Sequence, residues 1–354
     1  MSLMSKKMVN GAVALGCMLF AAPVMAHEAL NEYVLDPMMV TAARYEKRDV
    51  DIPAATEIYD QQKIEKLGAN NVMEVVKNIP GFTLTASPTG NTYIGFRGIA
   101  KDNVAILVNG IPLDQDGNYD LESISADIID RIEVLYGSNA SAGVINIITN
   151  KKAAKNKVLI GFGDKNKFKG AVNVATDKLQ LSYSRQQSKD RGFVYKNSGA
   201  SNYYTGDKLE KDSLNLQYAI SDNLSLQYMY SKKVSDCSKS VNGVYKPGFH
   251  SDIKYNFGQL RYVNDDLQAT VFFRNRDWKF NTSTHQKGHN HGADLQDKFK
   301  LGNTMLTVGA NYENENTKNS NNIEAAKRDS AAVFFMTETE VSDKTKIFLG
   351  AREA

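Results

Sequence analysis

From residue 158 onward the sequence alternates apolar and polar residues with a period of two. Leu214, Leu216, Tyr218 and Ile220 interleave with Asn215, Gln217 and Ala219; past Ser221-Asp222-Asn223 the alternation resumes as Leu224, Leu226, Tyr228 and Tyr230 against Ser225, Gln227 and Met229. Successive side chains of a strand point to opposite faces, so each segment makes a strand with one oily and one polar face. A soluble sandwich and a membrane barrel share that alternation, and the connections separate them. Short turns at Thr176-Asp177-Lys178, Ser221-Asp222-Asn223, Asn264-Asp265-Asp266, Gly302-Asn303 and Ser342-Asp343-Lys344 alternate with longer polar stretches near 189–211, 234–251, 281–291 and 316–327. Only the loop at 164–168 breaks the pattern. Short turns on one rim and long loops on the other are what an outer-membrane barrel shows, and about 11 strands are expected.

Composition narrows the alternatives. Mean hydropathy is −0.41, and outside Val9 to Ala26 no apolar run approaches the length of a spanning helix. A net charge of +3 on 354 residues leaves no footprint for nucleic acid. Cys17 and Cys237 are the only cysteines, so no disulfide framework is expected.

Residues 1–26 read as a secretory signal peptide. Lys6 and Lys7 precede an apolar core from Val9 to Phe20, and Val24-Met25-Ala26 puts small residues at the −3 and −1 positions of a cleavage site before His27. A competing reading takes Ala14-Leu15-Gly16-Cys17 as a lipoprotein site, although the apolar run continues beyond Cys17.

Up to residue 152 the pattern is mixed. Asp60 to Leu67 and Asn70 to Lys77 read as helices; the second has Val72, Val75 and Val76 on one face and is stopped by Pro80-Gly81. Phe82 to Thr85, Tyr93 to Phe96, Val104 to Val108, Ile132 to Leu135 and Val144 to Ile148 read as strands, and Asn109-Gly110 as a turn that accepts positive φ. The expected organisation is a leader over 1–26, a tail over 27–50, an α+β domain over 51–152, and barrel strands over 153–354.

Val40-Thr41-Ala42, Ile79-Pro80-Gly81-Phe82, Phe96-Arg97-Gly98, Val108-Asn109-Gly110-Ile111-Pro112, Arg131-Ile132-Glu133-Val134 and Gly143-Val144-Ile145-Asn146-Ile147-Ile148-Thr149 follow one another in the order of a known domain. This ordered set, over residues 36 to 152, resembles the plug domain of TonB-dependent outer-membrane receptors. The resemblance implies an α+β plug followed by a transmembrane antiparallel β-barrel in the outer membrane of a diderm bacterium. It also implies import of a scarce nutrient such as an iron siderophore, haem or cobalamin, driven by the TonB C-terminal domain with ExbB and ExbD. Partners would be a metal chelate or cobalamin and outer-membrane lipid; no cofactor and no enzymatic activity are expected.

Residue roles follow from the same resemblance. Asp36, Pro37, Met38, Met39, Val40, Thr41 and Ala42 stand where the family has its TonB box; Pro37 disfavours helix, and an extended segment there suits addition to a partner's sheet edge. Arg97, Arg131 and Glu133 match residues that lock plug to barrel through buried ion pairs. Two departures stand out. Leu135 runs directly into Tyr136-Gly137-Ser138, where the family usually has an intervening Arg-Gly-Pro segment. In addition, about 11 strands are half of the 22 found in plugged transporters, so the chain is expected to be either a piece of a longer product or a truncated, split or decayed receptor.

Three of the five histidines, His285, His289 and His291, fall in an expected external loop; imidazoles at that density suit a metal or haem iron, and a solvated polar loop is the plainer reading. Tyr203 and Tyr204 suit a ligand-stacking or membrane-interface role. An exported β-rich hydrolase would need a catalytic constellation that the motifs do not supply. A passive porin would need neither plug nor box.

Overall fold

The computed structural model describes residues 38–39, 47–48, 56–86, 92–96, 104–113, 119–136, 143–149, 155–164, 166–189, 194–196, 203–241, 244–282, 284–319, 326–342 and 345–353. The leader reading, Arg97, Gly137, Ser138, and Asp36, Pro37, Val40, Thr41 and Ala42 lie outside them, whereas the Leu135-Tyr136 junction lies within the described residues. Strand β1 (Met38–Met39) pairs antiparallel with β2 (Lys47–Arg48).

The plug is built on a five-stranded sheet. Its members, in spatial order, are β3 (Thr56–Asp60), β8 (Ile129–Tyr136), β9 (Gly143–Thr149), β6 (Val104–Val108) and β7 (Ile111–Pro112); β6 and β9 run parallel, the other pairs antiparallel. Strand β9 sits centrally and is buried at every position, as expected of Gly-Val-Ile-Asn-Ile-Ile-Thr, whose apolar residues are nearly continuous. Helix α1 (Gln61–Lys66) starts where the Asp60 carboxylate accepts the Lys63 amide at 2.8 Å. Helix α2 (Val72–Val76) starts where the Asn71 side chain accepts the Glu74 amide at 2.9 Å. Val72, Val75 and Val76 are fully buried, which confirms the face read from their spacing. Strands β4 (Phe82–Ala86) and β5 (Thr92–Phe96) form a separate pair.

The second body is one antiparallel sheet with each strand hydrogen-bonded to the next along the path. It comprises β10 (Lys157–Gly163), β11 (Lys167–Ala175), β12 (Leu179–Ser188), β14 (Tyr203–Ala219), β15 (Leu224–Val241), β16 (Val244–Val263), β17 (Gln268–Phe280), β18 (Thr284–Leu301), β19 (Thr304–Asn319), β20 (Ala326–Ser342) and β21 (Thr345–Glu353), with β13 (Val194–Lys196) attached to β14. These eleven path strands match the number expected. Among the described residues no helix is long and apolar enough to cross a membrane.

The expected long loops need correction. Stretch 234–251 lies almost wholly within β15 and β16, which meet at Val241↔Val244, and 284–291 lies in β18 rather than in a loop. Tyr203 and Tyr204 open strand β14. Beyond the lipid both faces of a strand meet water, so the apolar-polar alternation vanishes while the backbone ladder continues. A reading that follows hydrophobicity therefore ends each strand too early. The strands of 16 to 20 residues exceed the ~9–11 needed to span a bilayer.

Candidate functional site: the plug seat and the chamber above it

The two faces of the barrel sheet differ in kind. Val158, Ile160, Phe162, Leu226, Val271 and Phe335 project outward, Phe162 with 82% of its surface exposed. The opposite face buries Asn173, Gln180, Ser182, Asn215, Gln227 and Ser235, together with many like them. This polar wall receives the plug, and Met229, Ile253, Tyr255, Phe257 and Phe272 join the plug's Ile and Val residues in one core cluster.

Polar contacts of the wall fall on backbone carbonyls of the plug's short helical turns and of its edge strand β7, and on the Asn109 turn. Gln180 Nε2 donates to the Asp127 carbonyl at 2.6 Å, Asn215 Nδ2 to the Ser123 carbonyl at 3.0 Å, and Arg274 Nη1 to the Pro112 carbonyl at 2.7 Å. Asn109, at φ 49 in the turn before Gly110, donates to Thr149 Oγ1 at 3.0 Å and to Gln227 Oε1 at 3.1 Å. Each buried carbonyl so bonded avoids a desolvation cost of roughly 1–3 kcal/mol.

Ion pairs complete the seat. Lys211 Nζ lies 2.7 Å from Glu122 and 3.1 Å from Asp120, with only 11% of its side chain exposed. Lys169 pairs with Glu74 at 3.4 Å, and Lys157 with Asp127 at 3.3 Å. Burial pushes the Asp120 carboxyl up, but the Lys211 and Lys233 ammonium groups outweigh it and hold the group below the usual carboxylate range. Glu74 is likewise held low: the Asn70 amide and Lys169 outweigh its desolvation.

Arg131 and Glu133 join elements inside the plug. Arg131 Nε donates to Glu133 Oε1 at 3.0 Å, and Nη1 reaches Asp130 at 2.7 Å. The Glu133 carboxylate, fully buried, also accepts from Asn146 Nδ2 at 3.4 Å, and Asn146 Oδ1 accepts the Gly110 amide at 3.0 Å. Glu133 and Asn146 are register partners across β8 and β9, so the Arg-Ile-Glu-Val and Gly-Val-Ile-Asn motifs meet in space and anchor the Asn-Gly turn. The lysines and amides that reach the plug from the barrel carry no local motif in the sequence. Their only signal is polarity at every second position of an otherwise apolar strand.

On the long-hairpin side of the plug, a recess of about 60 Å³ is lined by Tyr119 of the plug and by Tyr255, Arg274, Arg276 and Asn290 of the wall. The Tyr119 and Tyr255 rings are 5.2 Å apart, and Arg274 also pairs with Glu313 and Glu315. Trp278 lies on the same inward face, its Nε1 donating to Ser251 Oγ at 3.1 Å. A larger cavity, about 410 Å³, opens at the short-turn rim between Asn109, Thr149, Gln180 and Arg261. The first recess combines aromatic faces with guanidinium groups; the second is a polar mouth on the opposite side.

His285, His289 and His291 share the odd-numbered face of β18 with Leu295 and Phe299, both exposed, and so stand on the outer wall, away from this recess. His285 Nε2 is 2.9 Å from Asp277, and His289 Nδ1 is 3.2 Å from Asn275 Oδ1. Among the described residues no group of three or more His, Cys, Asp or Glu side chains is placed to hold a metal ion.

Comparison with known proteins agrees with this geometry. Residues 48–144 match the family model of the TonB-dependent receptor plug domain. The vitamin B12 transporter BtuB of Vibrio vulnificus is 32% identical over 162 residues, 43% of this chain and 26% of that one, and BtuB of Vibrio cholerae is 28% identical over 202 residues, 52% and 33% respectively. In fold, the ferric yersiniabactin uptake receptor FyuA of Yersinia pestis superposes with a TM-score of 0.59 at 13% identity, covering 84% of this chain and 56% of that one. The ferripyoverdine receptor of Pseudomonas aeruginosa gives 0.56 at 14%, covering 89% and 53%. The chain thus spans about half the length of those solved receptors, and its aligned stretches span a third or less of the curated relatives. These relatives are transporters and receptors, not enzymes. The ordered plug motifs and a plug seated on the polar face of an antiparallel barrel sheet agree with the plug-domain match: the chain carries a segment similar to the plug domain of TonB-dependent receptors, followed by barrel strands like those of the solved receptors.

Proposed function

We propose that the chain acts in the outer membrane of a diderm bacterium as a ligand-gated importer of a scarce chelate, an iron siderophore, haem or cobalamin, energised by the TonB C-terminal domain with ExbB and ExbD. The observation that carries this reading is the seating of the plug. Among the described residues it is held by side-chain contacts, polar ones from Lys157, Lys169, Lys211, Arg274, Gln180, Asn215 and Gln227 and an apolar patch at Met229 and Phe257, rather than by shared strands, so a pull can release it without unzipping the barrel. The recess at Tyr119, Tyr255 and Arg276 is the ligand platform, and the mouth at Asn109 and Arg261 is the outlet.

Asp36 through Ala42 serve as the TonB contact, donated as an added strand; Met38 and Met39 are already extended. Arg131 and Glu133 stiffen the plug from within, so that force applied at the tail reaches the Asn109 turn as a unit.

Trp278 is the only tryptophan of the chain and lies on the inward face beside the recess, so its fluorescence reports ligand. Titration of the full chain with cyanocobalamin, haemin and ferric siderophores should give saturable quenching by one class, weakened by Tyr255→Ala and Arg276→Gln. Cobalamin is the first ligand to test, because the sequence relatives are vitamin B12 transporters. Non-saturable quenching by every member of the panel would sink the reading.

A further inference from the structure

Two cross-strand lysine pairs lie in adjacent registers, one on each face of the barrel sheet, and they differ in what neutralises them. Lys211↔Lys233 join β14 and β15 on the inner face, and Lys232↔Lys254 join β15 and β16 on the outer face. Like charges directly opposite one another in a sheet destabilise it, so each pair calls for a counter-charge. The inner pair receives Asp120 and Glu122 from the plug.

The outer pair makes no direct ion pair with any carboxylate among the described residues. Its register neighbours on either side are acids, Asp212 beside Lys232 and Asp277 beside Lys254, but both are engaged elsewhere. Arg185 grips both oxygens of Asp212 at 2.9 and 3.0 Å, and Asp277 holds His285 at 2.9 Å. Asp252, the next outward residue of β16, makes no ion pair with either lysine.

Height on the wall identifies the missing anion. On β15 the outward residues below Lys232 are Tyr230, Tyr228 and Leu226; on β16, below Lys254, they are Asn256, Gly258 and Leu260. Lys232 therefore follows directly on two outward tyrosines, and both lysines lie beyond the apolar Leu226 and Leu260 on the side of the long hairpins, where lipid headgroups begin. We propose that Lys232 and Lys254 form a docking site for the phosphate groups of an outer-leaflet lipid. Strands lie about 4.8 Å apart, which lets two lysines converge on one phosphate. The site supplies the barrel with the counter-charge that the plug supplies on the inner face. It rests on the outer-membrane reading above but not on the identity of the imported ligand.

The test is native mass spectrometry of the full chain in detergent, titrated with diphosphorylated lipid A, with its dephosphorylated form, and with inorganic phosphate as competitor. Wild type should retain the phosphorylated lipid at about thirtyfold lower concentration than the dephosphorylated one, given roughly 1 kcal/mol for each of the two lysines near an anionic surface. Lys232→Gln with Lys254→Gln should erase that preference, and Lys232→Arg with Lys254→Arg should keep it. Lys300→Gln, near the opposite rim, should leave it intact. Equal retention of the two lipids, an unaltered preference in the double glutamine variant, or displacement of lipid by inorganic phosphate at equimolar concentration would overturn the proposal. Because the readout is lipid, a negative result leaves the Trp278 titration standing, and the reverse also holds.

Discussion

The plug and the barrel sheet bury opposite materials. The plug's interior is made of Ile128, Ile129, Ile132, Ile145 and Ile147, all but sealed from solvent, whereas the wall that surrounds it buries Ser182, Asn215, Gln227 and Ser235 and turns Phe162, Val271 and Val333 outward. What differs is the solvent. A domain bathed in water hides its oil; a sheet bathed in lipid displays its oil and keeps its hydrogen-bonding groups for the guest inside. The plug therefore sits in a largely polar socket with one apolar patch, and its attachment rests on side-chain contacts rather than on shared strands.

That contrast can be broken experimentally, most severely at the buried ion pair. Lys211→Met strips Glu122 of its cation and leaves Asp120 with Lys233 alone, and should cost about 3–5 kcal/mol of plug attachment, seen as lost hydrogen-exchange protection over 119–136 while the barrel amides stay protected. The two kinds of burial separate in a matched pair of substitutions. Ile147→Ala, in the plug, should lower its stability by about 2–5 kcal/mol in a urea titration and leave membrane insertion unchanged. Val271→Lys, on the outer belt, should lower insertion into lipid by roughly 2–4 kcal/mol and leave the plug's own unfolding unchanged. A smaller loss, about 1–3 kcal/mol of plug protection, is expected for Asn215→Ala, which strips the Ser123 carbonyl of its donor.

Acid sharpens the same comparison. Asp120 and Glu74 are held below their ordinary range in the folded protein, so they bind protons more weakly there than in the unfolded chain. Their stabilisation is complete above the unfolded values, about 3.9 for Asp and 4.3 for Glu, and is lost as pH falls through the lower folded values. Limited proteolysis by pepsin should cut the plug increasingly as pH drops from 4 toward 2, with Asp120→Asn reducing the pH dependence.

Much of this architecture was legible in the sequence. The strands at Val104 to Val108 and at Val144 to Ile148, the Asn109-Gly110 turn, and the valine face of α2 are local signals, carried by β-branched runs, positive φ and helical spacing, and the structure places each of them where its residues indicate. The barrel's inward and outward faces were legible from Leu214 to Tyr230 because lipid enforces the alternation. Strand ends past the membrane were not, since at 234–251 both faces are wet and only backbone pairing persists. Nor was the plug seat. Lys211 and Asp120 lie 91 residues apart and meet only after both domains have folded, so no spacing announces the pair. Arg131 and Glu133, picked out by resemblance, make the contacts described above inside the plug.

The most direct test of a polar-lined, lipid-facing barrel is a single-cysteine scan of β15 from Leu226 to Lys233 in a Cys17→Ser, Cys237→Ser background, with each cysteine spin-labelled in the membrane-embedded full chain and its collision with oxygen dissolved in lipid recorded. The account predicts a strict period of two, with residues 226, 228 and 230 in contact with lipid and residues 227, 229 and 231 shielded from it. Uniform accessibility along the strand, or the alternation with its phase reversed, would contradict the account.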